Sequence, residues 1–166
     1  MEKPGGVIVE AKKSEACFRH GFKSVTGHWE GRSMDKMQKM MELFQDGNNC
    51  CRIITYFLAE PCGFNWEEEK EELSVMCATC GGTCSSLRGG TYGIHSYAER
   101  KGYSHEKARE MSEQLFDRFH DKHGAILCKD LFTGDMMECS KYVSSVIDLT
   151  EELIAAEQQT ENSTNG

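Results

Sequence analysis

The segment "CSSLRGGTYGIHSYAERKG", Cys84–Gly102, decides how this chain folds. Cys84, Leu87, Thr91, Ile94 and Ala98 recur at helical spacing, which predicts one apolar face on a helix from about Cys84 to Arg100. Gly102 suits its stop. Within the same span stand Gly89, Gly90 and Gly93. Each interior glycine costs a helix about 1 kcal/mol against alanine. Three of them are tolerable if a neighbouring helix or a bound group comes tight against this backbone, which makes Gly89 and Gly90 candidate cofactor-contacting positions. The alternative is a loop, in which the glycines carry turns.

The helical period continues to either side. Met34, Met37, Met41 and Phe44, with Met40 beside them, predict a helix from Ser33, its methionines serving as unbranched core packing. "QDGNNC" breaks it: Gly47 suits the position past a helix end, and Asn48 or Asn49 suits the next N-cap. A second helix follows over about Asn49–Glu60 and ends at Pro61 and Gly63. Asn65 caps a third, Trp66 to about Met76, whose early glutamates favour a positive helix end. Ser104 caps a fifth to about Lys122, with Ala108, Met111, Leu115 and Phe119 inward. A connector holding about one helical turn leads to a last helix from Cys139, with Val143, Val146, Ile147, Thr150, Leu153 and Ile154 on one face. The expected fold is all-α: a compact bundle of five to six helices with short loops over residues 35–155. Residues 1–34 form an N-terminal extension of uncertain structure, with "GVIVEA" as a short strand, and the polar tail 156–166 is expected to be disordered.

A chain of 166 residues with 39% hydrophobic content suits one domain. Its net charge of −8 disfavours nucleic acid and acidic membrane surfaces. There is no apolar run approaching the roughly 20 residues of a membrane span, and the N-terminal apolar run is too short for a secretory signal. The expected compartment is the cytosol. There, nine cysteines in such a chain point to metal, cluster or redox chemistry before structural disulfides. Cys17, Cys51 and Cys62 sit in no pattern and are expected as small buried hydrophobes.

The remaining cysteines fall at telling places. Cys50, Cys84 and Cys139 each lie in the first turn of a predicted helix and begin its apolar stripe. Cys128 lies in the connector, flanked by Ile126 and Leu127. A helix N-terminus carries free N–H groups and partial positive charge, which favour a thiolate and lower its pKa. Arg88, one turn after Cys84, is expected to add to this. Cys77 and Cys80 form a local Cys-x-x-Cys after a helix rather than after a strand, the wrong context for a thioredoxin-like motif.

These residues bring a family into view. The chain resembles the small helical proteins described as redox-active and named for a C-GCAxxG-C-C pattern. "GNNC" corresponds to the first cysteine context and gives Cys50; "CSSLRGG" corresponds to the central Cys-Gly-Ala-x-x-Gly element and gives Cys84 and Gly89. "FHDKHGAILCKDL" and "MMECSKYV" give Cys128 and Cys139. The resemblance spans about Asp35 to Leu153. Ser85-Ser86 stands where the family has Gly-Ala, and Cys77 and Cys80 lie outside its four-cysteine pattern. The resemblance implies a redox chemistry and no particular substrate.

Three functions follow. The first is thiol–disulfide or electron-transfer chemistry on Cys50, Cys84, Cys128 and Cys139, with Cys84 as candidate nucleophile helped by Arg88, and a redox partner protein or small-molecule thiol as co-substrate. The second is an iron–sulfur or zinc site on the same thiolates, with Cys77 and Cys80 as further ligands. The third is a non-catalytic helical binding module, in which the glycines mark a helix–helix or homodimer contact. His120 and His123, with Glu113 and Asp117, suggest one side of a carboxylate-rich metal site, but no partner Glu-x-x-His segment exists and a solvated helix end is the simpler account.

Overall fold

A computed structural model describes residues 32–78 and 82–164. The segments read as an N-terminal strand and loop lie outside these residues, as do Cys17, Cys80 and the side chain of Cys77. The described chain is all-α. Its helices are α1 (Arg32–Gln45), α2 (Cys50–Cys62), α3 (Trp66–Ala78), α4 (Ser85–Lys101), α5 (His105–His123), α6 (Cys128–Leu131) and α7 (Met136–Thr164).

Local chemistry sets the boundaries. Asn49 caps α2 by accepting from the Arg52 N–H at 2.9 Å, and Ser104 caps α5 by accepting from the Lys107 N–H at 3.2 Å. Gly63, Gly102 and Gly124 close α2, α4 and α5 in the left-handed region, with φ of 78°, 73° and 75°. Pro61 falls inside the last turn of α2 rather than ending it. On α1 the inward residues are Met40 and Leu43, whereas Met37, expected in the stripe, is exposed.

Helix α4 is the centre. It packs on α2, α5 and α7, and its closest partner is α2. Leu87, Ile94, Tyr97 and Ala98 are buried there alongside Ile53, Ile54 and Leu58 of α2, Met111, Leu115 and Phe119 of α5, and Val143, Val146 and Ile147 of α7. The glycines explain how the layers fit. A Cβ at Gly89 would lie 2.9 Å from the Cys51 carbonyl oxygen and 3.0 Å from Ile54 Cβ. At Gly90 it would lie 2.6 Å from Val146 and 2.7 Å from Leu115; at Gly93, 2.8 Å from Leu58. The close approach expected from the sequence is therefore made by neighbouring helices of the same chain. Gly89 faces α2, and Gly90 faces α5 and α7.

The C-terminal tail departs from expectation. Through Thr164 it continues α7 instead of fraying. Ion pairs and a phenol hold it: Lys107 to Glu157 at 2.7 Å, Lys101 to Glu161 at 3.3 Å, and the Tyr103 hydroxyl donating to Glu161 at 2.6 Å.

Gly89→Ala is a direct test of this packing. The helix gains about 1 kcal/mol of propensity, but the new methyl meets a backbone carbonyl that cannot rotate away, and overpacking costs about 1–3 kcal/mol. A lower urea midpoint is expected, corresponding to a net loss of up to about 2 kcal/mol of stability. An unchanged or higher midpoint would refute the close approach.

Candidate functional site

Each of the four family-like cysteines is set by a short local device. Gly47, at φ 80°, turns the chain after α1, and the Asn48 side chain donates to the Leu43 carbonyl at 3.0 Å. With Asn49 as cap, this makes Cys50 the first residue of α2. Cys84 is the N-cap of α4, and its own side chain makes no capping hydrogen bond. Cys128 begins the one-turn helix α6, and Cys139 lies in the first turn of α7. All four thus occupy helix starts.

Cys84 and Cys128 are joined through an isolated antiparallel bridge between Thr83 and Leu127. The Cys84 N–H donates to the Ile126 carbonyl at 2.8 Å, and the Cys128 N–H donates to the Gly82 carbonyl at 2.8 Å. In this pattern the paired residues sit between two ladder bonds, and the next residue of each strand turns to the opposite face of the ribbon. Cys84 and Cys128 therefore share a face. Gly82, at φ 89°, provides the bend into this bridge. On the other side, the Tyr142 hydroxyl donates to the Leu131 carbonyl at 3.1 Å and pins α6 to α7. Asp135 accepts from the Met137 N–H at 2.8 Å and fixes the start of α7.

The four sulfurs act on one another. Cys50 and Cys139 act on each other through their side chains, and both feel Cys84 and Cys128 electrostatically. Burial, then repulsion from Cys139 and Cys84, pushes the Cys50 thiol up to about 12. Burial and Cys84 also raise Cys128. Cys139 is raised by burial, Cys84 and Cys128, while its side-chain interaction with Cys50 acts the other way. Of these two thiols, Cys139 is the one that better holds a thiolate. For Cys50 and Cys139 the helix-end effect expected from the sequence is outweighed, because these thiols are withdrawn from water beside other thiols. Arg88 is absent from the groups acting on Cys50, Cys128 and Cys139.

Exposure separates the four. Cys84 is buried, Cys50 and Cys139 are half-buried, and Cys128 is exposed; all four are free thiols. Elsewhere, Cys62 is a free buried thiol as expected, pushed to about 12 by burial. Cys51 is buried too, but it is disulfide-bonded rather than a plain core thiol. His123 is no solvated helix end: its Nε2 lies 3.0 Å from Ser145 Oγ and its ring packs between Phe119 and Tyr142. Among the described residues no three His, Cys, Asp or Glu side chains are placed to hold a metal ion. The sequence signals for the bridge were modest, namely apolar Ile126 and Leu127 before Cys128 and Gly82-Thr83 before Cys84.

Fold and site together define a small all-α protein with four convergent cysteines at helix starts. The chain belongs to the family described as "Putative redox-active protein (C_GCAxxG_C_C)", whose model matches residues 48–153. No curated protein matches the chain, and no solved structure matches it. Among the described residues no helix is long and apolar enough to cross a membrane.

The raised thiols link the site to stability. A thiol is neutral when protonated, so a folded-state pKa above the ordinary 9.0 stabilises the fold below pH 9, and that contribution is lost as pH climbs toward 12. The reduced protein is expected to lose thermal stability over this range more steeply than its Cys50→Ala variant. Parallel profiles of melting temperature against pH for the two would contradict the placement of Cys50.

Proposed function

We propose that the four cysteines carry out reversible thiol–disulfide exchange. The observation that carries this reading is the mutual influence of the four thiols: Cys50 and Cys139 act on each other, and Cys84 and Cys128 are close enough to act on both. Thiols that near one another need little movement to become a disulfide. An environment of burial and mutual repulsion favours uncharged sulfur, which means thiol or disulfide rather than several thiolates at once.

Cys128 is the thiol that meets the co-substrate, because it is the exposed one of the four. Its thiolate attacks one sulfur of a partner disulfide; a mixed disulfide forms, and the partner's other sulfur leaves and takes a proton. Cys84, held beside it by the Thr83–Leu127 bridge, then attacks the Cys128 sulfur. The products are a Cys84–Cys128 disulfide and a second partner thiol, so two electrons and two protons have passed to the partner. Cys139 and Cys50 form the second pair, able to reduce the first by the same exchange. The co-substrate is a redox partner protein or a small-molecule thiol in its disulfide form, and the reducing cytosol suits the cycle.

The absence of any cation among the groups acting on these thiols favours a second reading: zinc or an iron–sulfur cluster would relieve the repulsion between four thiolates. It ranks below exchange because the described side chains are not arranged around a metal position. Cys77 and Cys80 are second choices in either reading.

The test is a redox titration in a dithiol buffer with thiol counting. A reversible loss of two or four thiols is expected, and Cys139→Ser should remove the Cys50–Cys139 couple. Thiol counts that stay constant across the accessible potential range would eliminate exchange. Metal bound stoichiometrically by anaerobically purified protein, and lost in Cys50→Ser and Cys139→Ser, would favour the second reading.

A further inference from the structure

The surface around Cys128 carries more than a thiol. Four large hydrophobic side chains are exposed among the described residues, and two of them, Phe132 at 43% and Met137 at 51%, lie on the short stretch between Cys128 and Cys139. Phe132 is tied to the exposed cysteine itself, its N–H donating to the Cys128 carbonyl at 2.8 Å. Met137 lies at the start of α7, two residues before Cys139, where Asp135 caps its N–H. Two apolar side chains left in water on the short stretch that carries the exposed thiol of a four-thiol site mark a surface that something covers.

Charge narrows what that is. From Cys128 to Lys141 there are two lysines and three carboxylates, a net of −1. Both lysines are already engaged, Lys129 with Asp130 at 3.2 Å and Lys141 with Glu138. Neither is free to receive the carboxylates of a small acidic thiol such as glutathione, and the whole chain, at −8, repels such an anion further. An apolar, slightly negative surface complements a neutral or mildly basic polypeptide.

We infer that Cys128, Phe132 and Met137 form a docking surface for a polypeptide partner that presents a disulfide between apolar, neutral or basic neighbours. This rests on the thiol-exchange reading above and selects the protein partner over the small thiol. Phe132 and Met137 hold the partner's apolar residues while the Cys128 thiolate attacks its sulfur. One partner S–S bond breaks, one Cys128–partner S–S bond forms, and the departing partner sulfur takes up a proton.

The reduced full-length protein is mixed with three probes: a peptide whose single cysteine, flanked by Leu and Lys, is activated as a thiopyridyl disulfide; the same peptide with Asp flanks; and oxidised glutathione. Adducts are located by mass spectrometry. Cys128 is expected to react with the apolar basic peptide at least tenfold faster than with the other two. The doubly substituted Phe132→Ser, Met137→Ser protein is expected to lose that preference about tenfold, whereas Met37→Ser, an exposed site on α1, keeps it. Both altered positions are exposed, so little stability is at stake, and a thermal melt confirms the fold. Equal rates for all three probes, or a preference indifferent to Phe132 and Met137, would overturn the docking surface and leave exchange intact. With no probe forming either an adduct on Cys128 or the Cys84–Cys128 disulfide that resolves one, exchange itself would be overturned, and the docking surface with it.

Discussion

The contact of Gly89 with the carbonyl of Cys51 fixes how near α4 comes to α2, and that distance fixes where two of the four thiols lie. Gly89 sits one turn inside α4 and Cys51 in the first turn of α2, so the helices meet near their N-terminal ends. Cys50 and Cys84 stand at those ends. With a methyl group at Gly89 the helices would have to part or slide, and the sulfurs would move with them. Gly90 and Gly93 continue the same seam toward α7, α5 and the far end of α2. The helix-propensity cost of three glycines, about 1 kcal/mol each, is the cost of a site built between helix ends rather than within a loop.

The remaining two thiols are attached by different means. Cys128 comes through two backbone hydrogen bonds of the Thr83–Leu127 bridge, and Cys139 through a helix start held by Asp135 and by Tyr142 against α6. Backbone bonds and caps fix main-chain position without crowding the sulfurs. Electrostatics then sorts the four. The partial charge of a helix end contributes about 0.3–1 kcal/mol at an exposed position, and each unit of pKa shift is worth about 1.4 kcal/mol. Cys50, raised from 9.0 to about 12, shows that burial and neighbouring thiols win at that position. Cys139 is spared part of this by its side-chain interaction with Cys50.

Much of this was legible in the sequence because it rests on local chemistry. Helical spacing located the helices, Asn and Ser located caps, and glycines located ends. The cysteine contexts placed Cys50, Cys84 and Cys139 at helix starts and Cys128 in the connector, where the structure forms the one-turn helix that it begins. Other features depend on distant parts of the chain and left weak local traces. The bridge pairs residues forty-four positions apart, and nothing near Thr83 announces Leu127. The tail 156–164 reads as polar and free, yet its helix is held by Lys101, Tyr103 and Lys107 from another part of the bundle. The sign of the thiol shifts was misjudged for a related reason. A helix end is visible in sequence, whereas the burial that overrides it exists only once the helices pack.

The replacement of Gly-Ala by Ser85-Ser86 shows which property of the central element matters here. Ser86 is fully buried, and its hydroxyl has no hydrogen-bond partner. An unpartnered buried hydroxyl costs about 1–3 kcal/mol, so it is not retained by a bond it makes in the folded chain. What Ser86 shares with alanine is small size at the second residue of α4, against the packed core. Size is also what Gly89, Gly90 and Gly93 supply along the rest of the helix. The central element is therefore a steric specification: it keeps one side of α4 thin enough for α2, α5 and α7 to close around it, while Cys84, at the cap, holds the single reactive atom of that segment.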